Sequence, residues 1–177
     1  MIVMINGAFG AGKTTAANML HPFIANNMIF DPEEIGYMLR KIVTDEIKLK
    51  EEKTDDFQDM ELWRVLVVNV AKELKRKYNK HLIVPMTIYK HQNFEYIYNG
   101  LKDIDKDIYH FCLIASNETL HARLTKRGDT PGGWTFQQNE KCVDKLKEIK
   151  IGEHIFTDQI DSTAVANRIL SKVQHDV

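Results

Sequence analysis

Charge of one sign is the first thing missing from this sequence. Its 24 basic and 25 acidic side chains leave a formal net charge of −1, so no overall field exists to hold DNA, RNA or an anionic membrane. Binding has to come from a local site. Cysteine is also scarce. Cys112 falls in an apolar, strand-like run and Cys142 in a helix-like one, and such a pair reads as reduced core thiols, not a disulfide framework. A reducing cytoplasm is the expected location. Long apolar runs are lacking too: MIVMINGAFG has no basic leader, and nothing approaches the ~20 apolar residues that cross a bilayer. A soluble protein is expected. His21, His91 and His121 have no partner at metal-ligand spacing. What the chain does have is core material, 44% hydrophobic over 177 residues, enough for one domain and not for two.

Short β-rich runs alternate with longer amphipathic ones, the pattern of βαβ units around a parallel sheet. It predicts a three-layer α/β/α domain with strands at 2–5, 28–30, 81–84, 108–115 and 155–157. Helices are predicted at 13–20, 32–43, 59–78, 91–101, 117–126, 136–149 and 163–173. Pro22 should end or kink the first helix, because it lacks a donor and its ring crowds the preceding turn. In the third helix Leu62, Trp63, Leu66, Val67, Val70 and Leu74 recur at helical spacing and read as core. Residues 45–59 are dense in charge, so an exposed, mobile connection is expected, either a solvated face or a functional cover. GDTPGG at 128–133 cannot be regular structure.

GAFGAGKTT fits G-x-x-x-x-G-K-[ST] at Gly7, Gly12, Lys13 and Thr14, between a predicted strand and a predicted helix. Such a loop turns backbone N–H groups onto phosphate oxygens, so it needs small residues with access to positive φ, which Gly7, Gly10 and Gly12 supply. The helix that follows aims its free N–H groups at the same phosphates. Lys13 would meet the β and γ oxygens, and the Thr14 hydroxyl would meet Mg²⁺. A nucleotide, ATP with Mg²⁺, is the expected cofactor.

Kinases, GTPases and ATP-driven switches all share that loop, so other residues must decide the chemistry. Asp31 follows the second strand at the carboxyl edge of the sheet. It reads as the N-cap of the next helix, with Pro32 at N1 and Glu34 completing a capping box, either as a cap alone or as a cap that also contacts an acceptor hydroxyl or metal. The third strand, HLIVPMT, ends without a metal-holding acid. Pro85 should stop its pairing and turn Met86 and Thr87 into the acceptor pocket. Ser116 should cap a helix carrying Arg123 and Arg127 on one face, followed directly by the glycines. That is the build of a lid near 126–136 with arginines over the transferred phosphate, and the alternative is two solvated arginines. Arg64 could reach the acceptor or form a surface ion pair. No N-K-x-D run is present to read guanine.

GAFGAGKTT, FDPEEIGYMLR, DDFQDMELWR, LIVPMTI, HFCLIASNETLHARLTKR and HIFTDQI together resemble the tunicamycin-resistance proteins, small ATP-binding P-loop proteins related to shikimate and gluconate kinases. DPE-x-x-G-x-x-LR and IVPMTI are the specific elements, and the likeness runs nearly end to end. It implies strand order 2-3-1-4-5 and a lid after the fourth strand. It places the ATP loop on Gly7, Ala8, Phe9, Gly10, Ala11, Gly12, Lys13, Thr14 and Thr15, the adenine side near Asp158 and Gln159, and the acceptor near Asp31. Members of that family can continue into a basic amphipathic tail, whereas this sequence ends at Val177, so membrane attachment is not expected. The function that follows is phosphoryl transfer from ATP to a hydroxyl of a small molecule, plausibly tunicamycin. Lys13, Asp31, Arg123 and Arg127 would be catalytic, and Arg123 would also touch the nucleotide. The rival is an ATP-gated module that sequesters the antibiotic without chemistry. A monomer or homodimer, with nucleotide and acceptor as its only partners, is expected.

Overall fold

In the computed structural model, which describes residues 1–174, the first strand explains the architecture. β1 (Ile2–Gly7) is buried along its whole length. A strand with no polar face must lie in the middle of a parallel sheet covered on both sides. It pairs in parallel with β3 (His81–Met86) and β4 (Ile108–Ile114). β2 (Asn27–Ile29) joins β3 and β5 (Glu153–Phe156) joins β4, giving the parallel order β2-β3-β1-β4-β5. That is the expected order. The helices between them are α1 (Lys13–Leu20), α2 (Glu33–Ile42), α3 (Glu61–Tyr78), α4 (His91–Ile104), α5 (Asn117–Arg127), α6 (Trp134–Glu148) and α7 (Ser162–Gln174). α1 does end before Pro22, passing into the 3-10 turn His21–Phe23. Cys112 and Cys142 are free and buried, and burial pushes their thiols up to about 12 and about 11.

Pro85 does not stop β3, contrary to the sequence expectation. The strand runs on to Met86, with Pro85 beside Ile5 and Met86 beside Asn6 of β1. In a parallel strand alternate residues bond to opposite neighbours. Leu82 donates to Met1 on the β1 side, whereas the Ile83 carbonyl accepts from Phe30 on the β2 side. Pro85 shares the parity of Ile83, so its missing N–H faces the side on which β2 has already ended, and no ladder bond is lost.

Two further expectations are corrected around α3. Trp63, Val67 and Ala71 are fully buried, and the Trp63 indole N–H donates to the Pro32 carbonyl at 3.0 Å, but Leu62 is 45% exposed at the edge of the stripe. The charged connection 45–59 is pinned at its far end. There the turn Phe57–Asp59 is separate from α3, Phe57 and Gln58 are buried, and the Gln58 amide donates to the Thr87 carbonyl at 3.0 Å. Phe57 lies flat on Gly36, where a Cβ would come within 2.5 Å of its ring. The absent side chain of Gly36 is the reason the ring fits.

The N-terminal edge of the sheet closes on Asp105, whose Oδ2 accepts from the Met1 amino group and from Lys75 Nζ, both at 2.6 Å. Burial works against its charge, but bonds from Lys75, the Met1 amine and the Asp107 N–H outweigh it and bring the carboxyl to about 2. A carboxylate depressed in the folded state adds stability above its ordinary value near 4 that is lost as pH falls through about 2. Asp105→Asn should therefore cost about 1 kcal/mol at pH 7 after allowance for solvent screening, with the gap to wild type closing between pH 4 and 2. Urea melts of both proteins across that range measure it.

Candidate functional site

The loop after β1 turns on glycine. Gly10 and Gly12 have φ of 82° and 98°, the second serving as N-cap of α1, a conformation that L side chains rarely adopt. Ala11 N–H closes onto the Ala8 carbonyl at 3.1 Å, and the first turn of α1 leaves its own N–H groups without helical acceptors. Lys13 folds back beneath them. It is 8% exposed, its Nζ donates to the Ala8 carbonyl at 3.0 Å, and burial is the main reason its pKa is lowered, with Glu33 the largest opposing influence. A buried ammonium held by a neutral carbonyl and, 5.5 Å away, the face of the Phe9 ring, beside open N–H groups, suits an anion with several oxygens. The residues fit a nucleotide phosphate.

Two asparagines hold this loop in place, and sequence reasoning singled out neither. Asn6 is fully buried; its Oδ1 accepts from Gly7 and Ile88 N–H at 2.9 Å each, while Nδ2 donates to the Ile88 carbonyl. That ties the start of the loop to the exit of β3. Asn139 on α6, also fully buried, accepts from Phe9 N–H at 2.9 Å and donates to the Phe9 carbonyl at 2.8 Å. Both main-chain polar groups of Phe9 are thus held as though by a neighbouring strand. The Phe9 ring packs edge-on against Trp134, with centroids 5.3 Å apart.

A cleft of about 460 Å³ opens over the loop. Its walls bring together residues 9–16, Asp31, Glu33, Arg123 and Arg127, from three separate segments of chain. Asp31 is half-buried and its Oδ1 accepts from Glu33 N–H at 2.9 Å. This corrects the expected capping box: α2 begins at Glu33 with Pro32 as its N-cap, so Asp31 stands one place earlier and satisfies only the Glu33 N–H, the first donor free after Pro32, while Glu34 completes no box with it. Burial raises its pKa, the Glu33 N–H opposes this, and the charges of Glu33 and Glu34 add to the rise.

α5 is capped by Ser116, whose Oγ accepts from Thr119 N–H at 3.2 Å, and it presents Arg123 and Arg127 one turn apart on the cleft wall. Arg123 donates to the Thr157 hydroxyl at 3.0 Å and to the Thr157 carbonyl. Arg127 forks onto both oxygens of Asp129 at 2.6 and 2.9 Å, just beyond the αL residue Gly128. Residues 128–133 are irregular, as expected.

The other expected site residues lie off the cleft walls. Met86 and Thr87 are 1% and 3% exposed and belong to the core, because β3 stays paired past Pro85; only Pro85 reaches the wall. Arg64 is engaged by Glu61 at 2.8 Å, by Asn93 at 3.3 Å and by the Tyr96 ring, on the α3–α4 side. Asp158 accepts from Ser116 N–H at 2.8 Å and from the Thr119 hydroxyl at 2.7 Å, since the open start of α5 offers it donors. Bonds from Ser116 and Thr119 lower its pKa. Neither Asp158 nor Gln159 faces the cleft, and Thr157, Ile160, Asp161 and Val165 form that wall instead.

Among the described residues no helix is long and apolar enough to cross a membrane. No curated protein matches the chain. Of solved structures, the tunicamycin resistance protein of Deinococcus radiodurans is 29% identical and superposes with a TM-score of 0.75, over 97% of this chain and 94% of that one. A gluconokinase from Sinorhizobium meliloti 1021 (13% identity, TM-score 0.66, 98% and 91% covered) shares the fold. So does the shikimate kinase from Acinetobacter baumannii in complex with shikimate (19%, 0.62, 99% and 93%). The family model described as an AAA domain matches residues 3–151, the stretch that carries the phosphate loop, Asp31 and both arginines. The chain therefore belongs to the AAA domain family, in a kinase-like P-loop form similar to the tunicamycin resistance protein.

Proposed function

We propose that this protein transfers the γ-phosphoryl group of ATP to a hydroxyl of a small molecule, with a nucleoside-like antibiotic such as tunicamycin as acceptor. One observation carries the reading: buried Lys13, half-buried Asp31 and the paired arginines of α5 converge on a single cleft over the open end of α1. Gly7 to Thr15 hold the donor phosphates through backbone N–H groups and Lys13. The nucleotide base lies against Thr157, Ile160 and Val165, beside the turn that carries Asp158 and Gln159. Mg²⁺, when bound, neutralises phosphate charge, and the Thr14 hydroxyl is the ligand this chain offers it. Asp31 accepts the proton of the attacking hydroxyl, and its raised pKa makes it a better base than an ordinary surface carboxylate. Arg123 and Arg127 meet the charge that moves with the phosphoryl group, as residues 126–136 close over the cleft.

Balance is simple: the acceptor oxygen bonds the γ phosphorus, the bond to the β-γ bridging oxygen breaks, and ADP leaves while the hydroxyl proton goes to Asp31. Incubation with ATP, Mg²⁺ and a panel of tunicamycin, nucleosides, gluconate and shikimate, read by mass spectrometry, should show one added phosphoryl group on one acceptor. Tight, ATP-dependent binding of tunicamycin with no phosphorylated product from any member would overturn this reading in favour of sequestration.

A further inference from the structure

Past Trp134 the surface dips again, into a depression of about 600 Å³ between α2, residues 45–55 and the start of α6. Trp134 is 37% exposed there, and its ring also meets Phe9, a wall residue of the phosphate cleft. Arg40 stands between two rings, 5.2 Å from the centroid of Phe57 and 5.8 Å from that of Trp134. Around them lie exposed Lys53, exposed Asp55, and Asp45 paired with Lys48 at 2.7 Å.

The mixture narrows the ligand. Arg40 and Lys53 can only donate, whereas Asp45 and Asp55 can only accept. Asp45 is already paired with Lys48, and Arg40 already donates to the Asp55 backbone carbonyl, which leaves Lys53 and the Asp55 carboxylate as the open donor and acceptor of this lining. An anion would meet the carboxylate, a cation would meet Lys53, and an apolar group would satisfy neither. Hydroxyls donate and accept at once, so a ring that carries several of them satisfies both kinds of group. The C–H face of such a ring covers an exposed indole, as large aromatic side chains favour.

Position supplies the second half of the argument. Glu33, Tyr37 and Arg40 fall at i, i+4 and i+7 on one face of α2. Glu33 lines the phosphate cleft and Arg40 lines the depression, so two helical turns, about 10 Å, separate them. We propose that the depression is a sugar-binding subsite, which holds the distal ring of a glycosylated acceptor whose reacting hydroxyl lies about 10 Å away near Asp31. Its orientation toward Asp31 rests on the phosphotransfer reading; its sugar chemistry does not.

Calorimetric titration of the whole protein, held with Mg²⁺ and a non-hydrolysable ATP analogue, tests this with tunicamycin and N,N′-diacetylchitobiose as glycosylated probes and gluconate and shikimate as short ones. At least one glycosylated probe should bind saturably, and its Kd should rise tenfold or more in Trp134→Ala and in Lys53→Gln. Because Trp134 also touches the phosphate loop, Lys53→Gln is the deciding variant, and its affinity for the ATP analogue should stay at the wild-type value. Binding of the short probes should be unchanged in it. Absence of binding by both glycosylated probes, or equal Kd in wild type and Lys53→Gln, overturns the subsite. Phosphorylation of a short acceptor alongside either of those results leaves phosphotransfer standing without the subsite. Glycoside binding that Lys53→Gln weakens, with no phosphorylated product anywhere, keeps the subsite and removes phosphotransfer.

Discussion

Lys13→Ala is expected to weaken ATP binding by roughly 10- to 10²-fold and to leave the free protein as stable as wild type. Loss of a charge-assisted bond to phosphate is worth about 1.5–3 kcal/mol, and each 1.4 kcal/mol is a factor of ten. A lysine would ordinarily be removed from the surface without consequence for the fold, but this one is 8% exposed. The direction of its pKa decides the matter. Burial lowers it, so the free protein carries the ammonium at a penalty that the single bond to the Ala8 carbonyl only partly offsets. Alanine removes the penalty together with the bond. The thermal midpoint without nucleotide should hold or rise slightly, while the upward shift that ATP gives the wild type should vanish. Matching ATP titrations for the two proteins would remove the phosphate assignment of the loop.

Why that site could be read from residue types alone, while its supports could not, is a matter of distance along the chain. Gly10, Gly12, Lys13 and Thr14 are neighbours whose requirement is local: small residues at positive φ, then a helix start. Asn6 and Asn139 act on partners 82 and 130 positions away, and no spacing within a helix or strand announces such pairs. In the string IVMING the first of them lies one place beyond the strand expected at 2–5. Arg123 and Arg127 were legible because four residues is one helical turn, yet the counter-ion Asp129 that holds Arg127 became visible only when the turn at Gly128 brought it round. Pro85 misled for a tertiary reason, since the strand on its donor-deficient side is only Asn27–Ile29 and ends before it. Met86 and Thr87 followed that error into the wrong place. Phe57 was hidden by the charges around it, and its burial depends on Gly36, a residue that the α2 motif supplies from 21 positions earlier.

Asp31→Asn should lower turnover by a factor on the order of 10² or more while stability and ATP affinity hold, the usual scale for removal of a general base. Asparagine keeps a carbonyl oxygen where Oδ1 now accepts the Glu33 N–H at 2.9 Å, and it caps helices about as well as aspartate. The sign of the pKa shift then bears on the fold. A carboxyl raised in the folded state, here chiefly by burial, adds stability below its unfolded value that is lost as pH rises through the folded one. At neutral pH the charged form therefore works against folding, so the neutral amide should match wild type or slightly exceed it. The same shift predicts the rate profile. The acid limb of kcat against pH should fall above the ordinary carboxylate range near 4, and it should be absent from whatever activity Asp31→Asn retains. Stopped assays from pH 4 to 8 on the acceptor that becomes phosphorylated, paired with thermal melts, separate the two roles. A variant that turns over at the wild-type rate with the acid limb in place would leave Asp31 as the cap of α2 alone. A variant that loses activity together with ten or more degrees of melting temperature would make the defect one of folding, and the base would then have to be sought elsewhere on the cleft wall.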